Sequence, residues 1–531
     1  MRLTLIIAFL YLVGVLNAQN GLVPLEYFTS VKTEIMMSDS VMSVHPEMKP
    51  YSYWTVQENS PLPDSMNAYS YLPFKHTDDS YVSISPRLDV GIYNQAGSRY
   101  KTSFNSIGGF GVGAGYKNRV YINLEGVLGY TNPPNYRKRI IDSLGIVPGF
   151  GYAGQSRNNQ NDYDFTQWTG SAAFKPSKHF ELFAGRGKHF IGEGYRSIFL
   201  SDFSSNYNYL RADVNVWRLK YAVLYTQMDQ ANNYPTNTYP IGKKYSTMHY
   251  LSSNVTKWWS IGAFESIVWE AEDSVVNRSF DINYANPLIF FRPVEYSIGS
   301  SDNSLLGFSS TLRPAKGLTL YGQILLDEFL FREWSAPLWL RISGDSTIRT
   351  GYWANKQSYQ LGVKLLEPFG WKNASVLAEF NAVRPFTYGH SNQTQSFSNA
   401  NQPLAHPLGS NFIEWVQITT WQPGRFCFGL FSTYSRKGYS NNISFMGEDV
   451  LISNRDRDDA NREYGNFMLQ GRREDVANIR LNAGYVLIQQ WNLRLDATVH
   501  YRLQRSSSQK DEMVFLGLGL STALWNNYRN L

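Results

Sequence analysis

The chain has 531 residues, with 49 Lys and Arg against 43 Asp and Glu, a net charge of +6, and only 17% of its residues charged. The surplus is dispersed, with no basic run or arm, which excludes nucleic acid as a partner, and a mean hydropathy of −0.34 excludes a bundle of membrane helices. Aromatic residues make up 15% of the chain, more than an ordinary soluble domain uses.

At the N-terminus, Arg2 precedes an apolar run over residues 3–16, and Asn17-Ala18 leads into Gln19. This is the basic, apolar and cleavage pattern of a secretory signal, with the cut expected after Ala18. The run is too short to span a bilayer as a helix. Residues 19–80 are polar and broken by Pro24, Pro46, Pro50, Pro61, Pro63 and Pro73, so this segment is expected either to plug a lumen or to stay in the periplasm. Cys427 is the single cysteine, so neither an internal disulfide nor a cysteine metal site can form.

From residue 81 to the C-terminus the pattern has period two. Leu493, Leu495, Ala497, Val499, Tyr501 and Leu503 fall on one face, and Asn492, Arg494, Asp496, Thr498, His500 and Arg502 on the other. Similar alternation runs through residues 119–128, 373–382 and 514–521. The segments run to about 10 to 12 residues, the length a tilted strand needs to cross a bilayer and longer than most soluble strands.

Tight breaks fall at Lys117-Asn118, Lys175-Pro176-Ser177-Lys178, Trp217-Arg218, Val255-Thr256-Lys257, Arg313-Pro314-Ala315-Lys316, Glu367-Pro368-Phe369-Gly370, Pro423-Gly424 and Gln489-Gln490. Eight turns join sixteen strands. An opening strand at residues 81–93 and a closing strand at residues 512–524 bring the expectation to about 18, an even number as a single-chain outer-membrane barrel requires. The fold class expected is therefore all-β, a transmembrane antiparallel β-barrel with a small plug or helical insertion. A short helix is expected over residues 135–144. Longer connections, at residues 131–164, 188–207, 271–302, 331–354, 384–409 and 436–475, alternate with the short turns and are assigned to the cell exterior. Trp258, Trp259, Trp269, Trp334, Trp339, Trp421, Trp491 and Trp525 are expected in the two interfacial girdles. Tyr195, Tyr207, Tyr209, Tyr234, Tyr239, Tyr352, Trp353, Tyr388 and Tyr439 are expected on the outer loops.

The densest polar cluster runs from Gly185 to Arg196, as GRGKHFIGEGYR. It is not a phosphate-binding loop, because no Ser or Thr follows the Lys, and not a zincin helix, because no second His stands four residues from His189. Two readings remain open. In one, Arg186, His189, Glu193 and Arg196 hydrogen-bond a hydroxylated or acidic ligand while Tyr195 stacks on a sugar. In the other, the loop folds into the lumen and its charges pair with one another. Asp456, Asp458, Asp459, Asn461 and Glu463 have carboxylate spacing suited to Ca²⁺, but Arg455, Arg457 and Arg462 interrupt it, which favours a solvated mixed-charge loop. Asp327 and Glu328 are neighbours on a strand and point to opposite faces, so they do not make a glycosidase pair. No catalytic residues, metal ligands or cofactors are assigned.

Three ordered stretches, GRGKHFIGEGYRSIFLSDFSSNY from Gly185, NPLIFFRPVEYSIGSSDNSLLG from Asn286 and HPLGSNFIEW from His406, together resemble the Wzi-like capsule-assembly outer-membrane proteins. Within them, the Bacteroidetes branch with gliding-motility proteins of the RemB type is the most similar. The resemblance runs from about residue 80 to the C-terminus. It implies an 18-stranded barrel with a helical plug that anchors or organises exported polysaccharide as a non-enzymatic surface lectin. Carried onto this sequence, it adds Arg292, Glu295, His406, Asn411 and Glu414 to the candidate glycan-binding residues, in or near loops that close over the lumen. The expected partners are outer-membrane lipid, extracellular polysaccharide and surface or periplasmic proteins.

Overall fold

Eighteen antiparallel strands form one closed barrel in the computed structural model. They are β1 Ser80–Gln95, β2 Thr102–Tyr116, β3 Val120–Asn132, β4 Tyr163–Ser177, β5 Phe180–Gly187, β6 Tyr207–Val216, β7 Leu219–Asp229, β8 Lys243–Asn254, β9 Trp259–Glu270, β10 Asn303–Ala315, β11 Leu318–Leu326, β12 Gln357–Leu366, β13 Ala374–Val383, β14 Phe412–Trp421, β15 Phe426–Tyr439, β16 Arg472–Ile488, β17 Leu493–Ser506 and β18 Lys510–Ser521. The structure describes residues 22–37, 45–59, 72–76, 80–96, 102–155, 162–230, 241–271, 280–288, 302–328, 330–440, 445–457, 463–522, 525, 526 and 528. The expected leader, Arg292, Glu295, Tyr234, Tyr239 and the middle of the mixed-charge loop at residues 455–463 lie outside those residues.

All eight short turns fall where the sequence places them, at one end of the barrel. The β2–β3 hairpin shows why so little chain suffices: Lys117 and Asn118 both take φ of 50°, the left-handed pair that matches the twist of the flanking strands. β18 closes the sheet by pairing with β1 from Asp89 to Gln95. That leaves the first residues of β1 with a free edge, which the short strand Leu72–His76 covers by pairing with Tyr81–Ile84. An uncovered edge in lipid would strand its N–H and C=O groups without partners.

The two faces are sorted in the opposite sense to a soluble protein. Leu124, Leu128, Leu495, Val499, Leu516 and Leu518 are exposed on the outside, while Arg494, Thr498, His500 and Arg502 are buried on the inside. Such a belt is stable only against lipid tails, since exposed apolar area costs about 25 cal/mol per Å² in water. Trp217, Trp258, Phe369, Trp371 and Trp421 are exposed at the short-turn end, where they form an interfacial girdle. Trp269 departs from that expectation. It is on the outer face but fully buried, packed against Tyr245 and Tyr284 beneath residues 280–285, which lie over the outside of β7 and β8 through Tyr225 to the Ala285 carbonyl and Thr247 to the Tyr284 carbonyl. Trp525 lies against Phe150 inside the barrel, because nearness to a strand end does not say which face a ring takes.

Segment 22–59 carries helices α1, Tyr27–Met37, and α2, Tyr53–Asn59. It touches inward residues around the whole circumference: Glu26 meets Arg494 of β17 at 3.6 Å, Glu34 meets Lys364 of β12 at 2.6 Å and His45 meets Ser252 of β8 at 2.8 Å. Arg211 of β6 donates to the Pro50 carbonyl at 3.1 Å, and Trp54 donates to the Asn118 carbonyl in the β2–β3 turn at 2.8 Å. Only a segment lying in the lumen can reach all of these, so it is a plug. Helix α3, Asn135–Leu144, is where the sequence places it and ends at Gly145, whose φ of 68° supplies the left-handed cap.

Candidate functional site

The stretch from His189 to Asn206 leaves the wall after β5 and turns into the lumen, where Ile198, Phe199 and Leu200 are fully buried. The ring of Phe199 stacks on Phe264 at 4.9 Å. Residues 384–410 fold in from the same end, with Tyr388, Phe397, Leu404 and Ala405 fully buried. These loops meet the plug directly. Met48–Lys49 pairs as a short strand with Phe190–Ile191, and the Gly192 N–H donates to the Glu47 carbonyl at 2.7 Å.

Arg196 is the centre of the polar packing. Its guanidinium grips Glu414 of β14 through two hydrogen bonds, of 3.1 and 2.9 Å, and lies over the rings of Tyr195 and Tyr528. His406 shares the same carboxylate at 2.7 Å. The His406 Nδ1 accepts the Leu408 N–H at 3.2 Å, which leaves Nε2 to carry the proton and donate it to Glu414. Burial, more than the neighbouring Glu414 can offset, pushes the His406 imidazole down to about 4. It is neutral at ordinary pH. Glu379 of β13 is held by four donors: the Tyr195 and Arg196 N–H groups at 3.1 and 3.2 Å, the Tyr321 hydroxyl at 2.8 Å and Asn381 at 2.9 Å.

A second ionic cluster joins the loop, the plug and the wall. Arg313 of β10 meets Glu193 at 2.8 Å and Glu47 at 4.0 Å, and Lys364 lies 3.5 Å from Glu193. Glu34 bridges Lys364 and Lys49, at 2.6 and 2.8 Å. Burial and the adjacent Glu193 raise the Glu47 carboxyl to about 7.

The structure thus brings Glu193, Tyr195, Arg196, His406 and Glu414 together as inward-facing groups whose partners are supplied by the protein, which is the second reading of the Gly185–Arg196 stretch. His189 is buried beside Tyr207 and Tyr209, and Asn411 donates to the Gly438 and Gln470 carbonyls. None of these seven residues is more than 6% exposed. Arg186 stands apart, on the outer face of β5 over Trp168 at 5.2 Å and donating to Asn208. Asp327 and Glu328 both pair with Lys356, a structural use of the two carboxylates. Sequence reasoning missed Glu34, Glu47, Lys49 and Lys364, because the plug shows no periodicity and each partner lies far away in the chain.

Gly194 is where the loop passes closest to the wall. A Cβ there would fall 1.9 Å from the Glu379 carboxylate and 2.9 Å from the Tyr321 hydroxyl. Gly194→Val should therefore lift the loop and leak ions, read as stepwise conductance in planar bilayers above that of the unaltered barrel. Equal conductance would mean the loop does not seal.

The outer surface carries a different cluster. The β11–β12 loop pairs with the β15–β16 loop through Trp353 N–H to the Glu463 carbonyl and Gly465 N–H to the Thr350 carbonyl, each at 2.9 Å. This sets Tyr352 against Tyr464 at 5.4 Å, Arg457 over Trp353 at 3.8 Å and Arg349 over Tyr464 at 5.5 Å. Tyr352, Trp353 and Tyr464 are half-buried, and Phe467 beside them is exposed. Of the other tyrosines expected on the outer loops, Tyr195 and Tyr388 are buried in the lumen because their loops turn inward, and Tyr207 and Tyr209 are buried there as inward-facing residues of β6.

No protein-family model matches the chain, and no curated protein matches it. Among solved structures it is similar to Wzi of Escherichia coli, described as an outer membrane protein involved in group 1 capsule assembly and a carbohydrate-binding β-barrel. The TM-score is 0.55 at 12% identity, over 94% of this chain and 98% of that one. OprD of Pseudomonas aeruginosa matches with a TM-score of 0.41 at 12% identity, over 84% of this chain and 96% of that one. The likeness is one of fold, and with the apolar outer belt it places this chain in the cell outer membrane as a closed 18-stranded barrel.

Proposed function

We propose that the protein binds extracellular polysaccharide at its outer loops and holds capsular or exopolysaccharide at the cell surface, without turning it over. The observation that carries this reading is the filled lumen. A barrel of eighteen strands is wide enough for a channel unless something occupies it. Here the plug and two inward loops occupy it and pair their charges there, and two cavities beside the plug hold only about 130 and 160 Å³. The outer loops, with the Tyr352, Trp353 and Tyr464 ledge, remain as the surface offered to a polymer. His189, Glu193, Tyr195, Arg196, His406, Asn411 and Glu414 act from beneath, fixing those loops. The likeness to Wzi, itself described as carbohydrate-binding, supports the same reading.

Single sugar contacts are weak, and a repeating polymer multiplies them through avidity. Trp353→Ala or Tyr464→Ala should each weaken binding of the host's own exopolysaccharide about tenfold, the equivalent of roughly 1.4 kcal/mol, with urea unfolding of the barrel unchanged. No binding by the unaltered protein would sink the proposal.

The resemblance of the Gly185, Asn286 and His406 stretches to RemB-type motility proteins suggests a second use of the same architecture, in which a surface protein takes the place of the glycan. Gene deletion separates the two. Loss of the capsular layer with normal spreading supports the glycan reading, and lost spreading with an intact layer supports the other.

A further inference from the structure

Helix α4, Phe331–Ser343, rises from the loop that joins β11 to β12 and is stopped by Gly344 in the left-handed conformation. Of its thirteen residues only Ser335 and Ala336 are buried. Phe331, Trp334, Leu338 and Ile342 recur at a spacing that puts them on one face, flanked by Leu330 and Trp339. All six are between 50% and 67% exposed. Buried Ala336 and the half-buried Glu333 and Leu340 lie round the other side of the helix, so the apolar stripe points away from the protein. The small Ser335 sits within the stripe, covered by its large neighbours and bonded to the Arg332 carbonyl of its own helix. A contiguous patch of this kind has a job.

We infer that α4 lies in the plane of the outer leaflet and buries this stripe at the boundary between lipid headgroups and acyl chains. Three observations fix that occupant. The helix begins five residues beyond Leu326, the last residue of β11, so its first turn can stand no more than about 18 Å from the strand's outer end, where the wall meets the membrane interface. The stripe continues an established lipid face, since Leu320 and Ile324 of β11 belong to the exposed outer belt and Leu330 and Phe331 follow them. The residue types also match, with Phe, Trp, Leu and Ile on one side and Arg332 and Arg341 on the flanks, the make-up of helices that rest on a membrane rather than cross it. The inference rests on the barrel's placement in the membrane and is independent of the glycan reading.

The test uses the full barrel with Cys427→Ser, reconstituted into phosphatidylcholine vesicles containing phosphatidylglycerol. A cysteine placed by Leu338→Cys, and in a separate variant by Arg341→Cys, is labelled with an environment-sensitive fluorophore, after urea unfolding has matched each variant to its parent. The label at position 338 should shift its emission to the blue, lose quenching by iodide and be quenched by lipids brominated near the headgroup, while that at 341 stays open to iodide. Equal iodide quenching at the two positions overturns the inference. Shielding at 338 that disappears when the protein is diluted among more vesicles overturns it too, and assigns the stripe to a second copy of the chain.

Discussion

Arg196→Ala should cost about 3–5 kcal/mol of barrel stability, the usual penalty for removing one partner of a buried ion pair. The pair is 1% and 2% exposed at its two side chains, and the neutral His406 cannot replace a cation beside Glu414. The loss is a matter of uncompensated charge rather than of missing contacts. Arg196→Met combined with Glu414→Gln should therefore recover most of it, since Gln still accepts the His406 proton. Urea unfolding in detergent micelles measures both variants. A double variant as unstable as the single one would show that the charge itself, rather than its pairing, is what the lumen requires.

The second large effect is a response to acid centred on the plug. Burial alone would raise the Glu34 carboxyl, but the ammonium groups of Lys364 and Lys49 overcome it and hold the group at about 2. An unfolded Glu titrates near 4.5, so as pH falls the unfolded chain takes up the proton first. The stabilisation is whole above that value and is lost between 4.5 and about 2, on the order of 3 kcal/mol at 1.36 kcal/mol per unit. Glu34→Gln should lower stability at neutral pH, by leaving two buried ammonium groups without a carboxylate, and should flatten the curve in that acid window. Other carboxylates titrate there too, so the decisive quantity is the difference between the variant and the parent. If the two curves run parallel from neutral pH down to about 2, Glu34 does not anchor the plug.

The wall was readable in the sequence because its rules are local. A hairpin reversal needs only a few residues with the right backbone freedom, as at Lys117-Asn118, and the alternation through residues 492–503 sets which side chains share a face. Strand length decided between lipid and a soluble core. The lumen was not readable in the same way. Arg196 finds Glu414 218 residues away, and Lys364 finds Glu34 330 residues away, and nothing in either neighbourhood announces the other. The Gly185–Arg196 stretch stood out as unusual, yet its partners Gln323, Glu379 and Gln360 look like ordinary wet-face residues of their strands. Trp269 takes the outer face, yet residues 280–285 fold over it, and nothing around Trp269 in the sequence announces that cover.

The plug precedes the first wall strand, and the wall seals only when β18 reaches β1. Asn526 accepts the Tyr27 N–H and donates to the Leu25 carbonyl, each at 2.9 Å, across 499 and 501 residues of chain. Stopper and cylinder are thus a single thread whose two ends are tied together. A chain cut short before residue 526 would therefore lose the knot even with most of its staves in place.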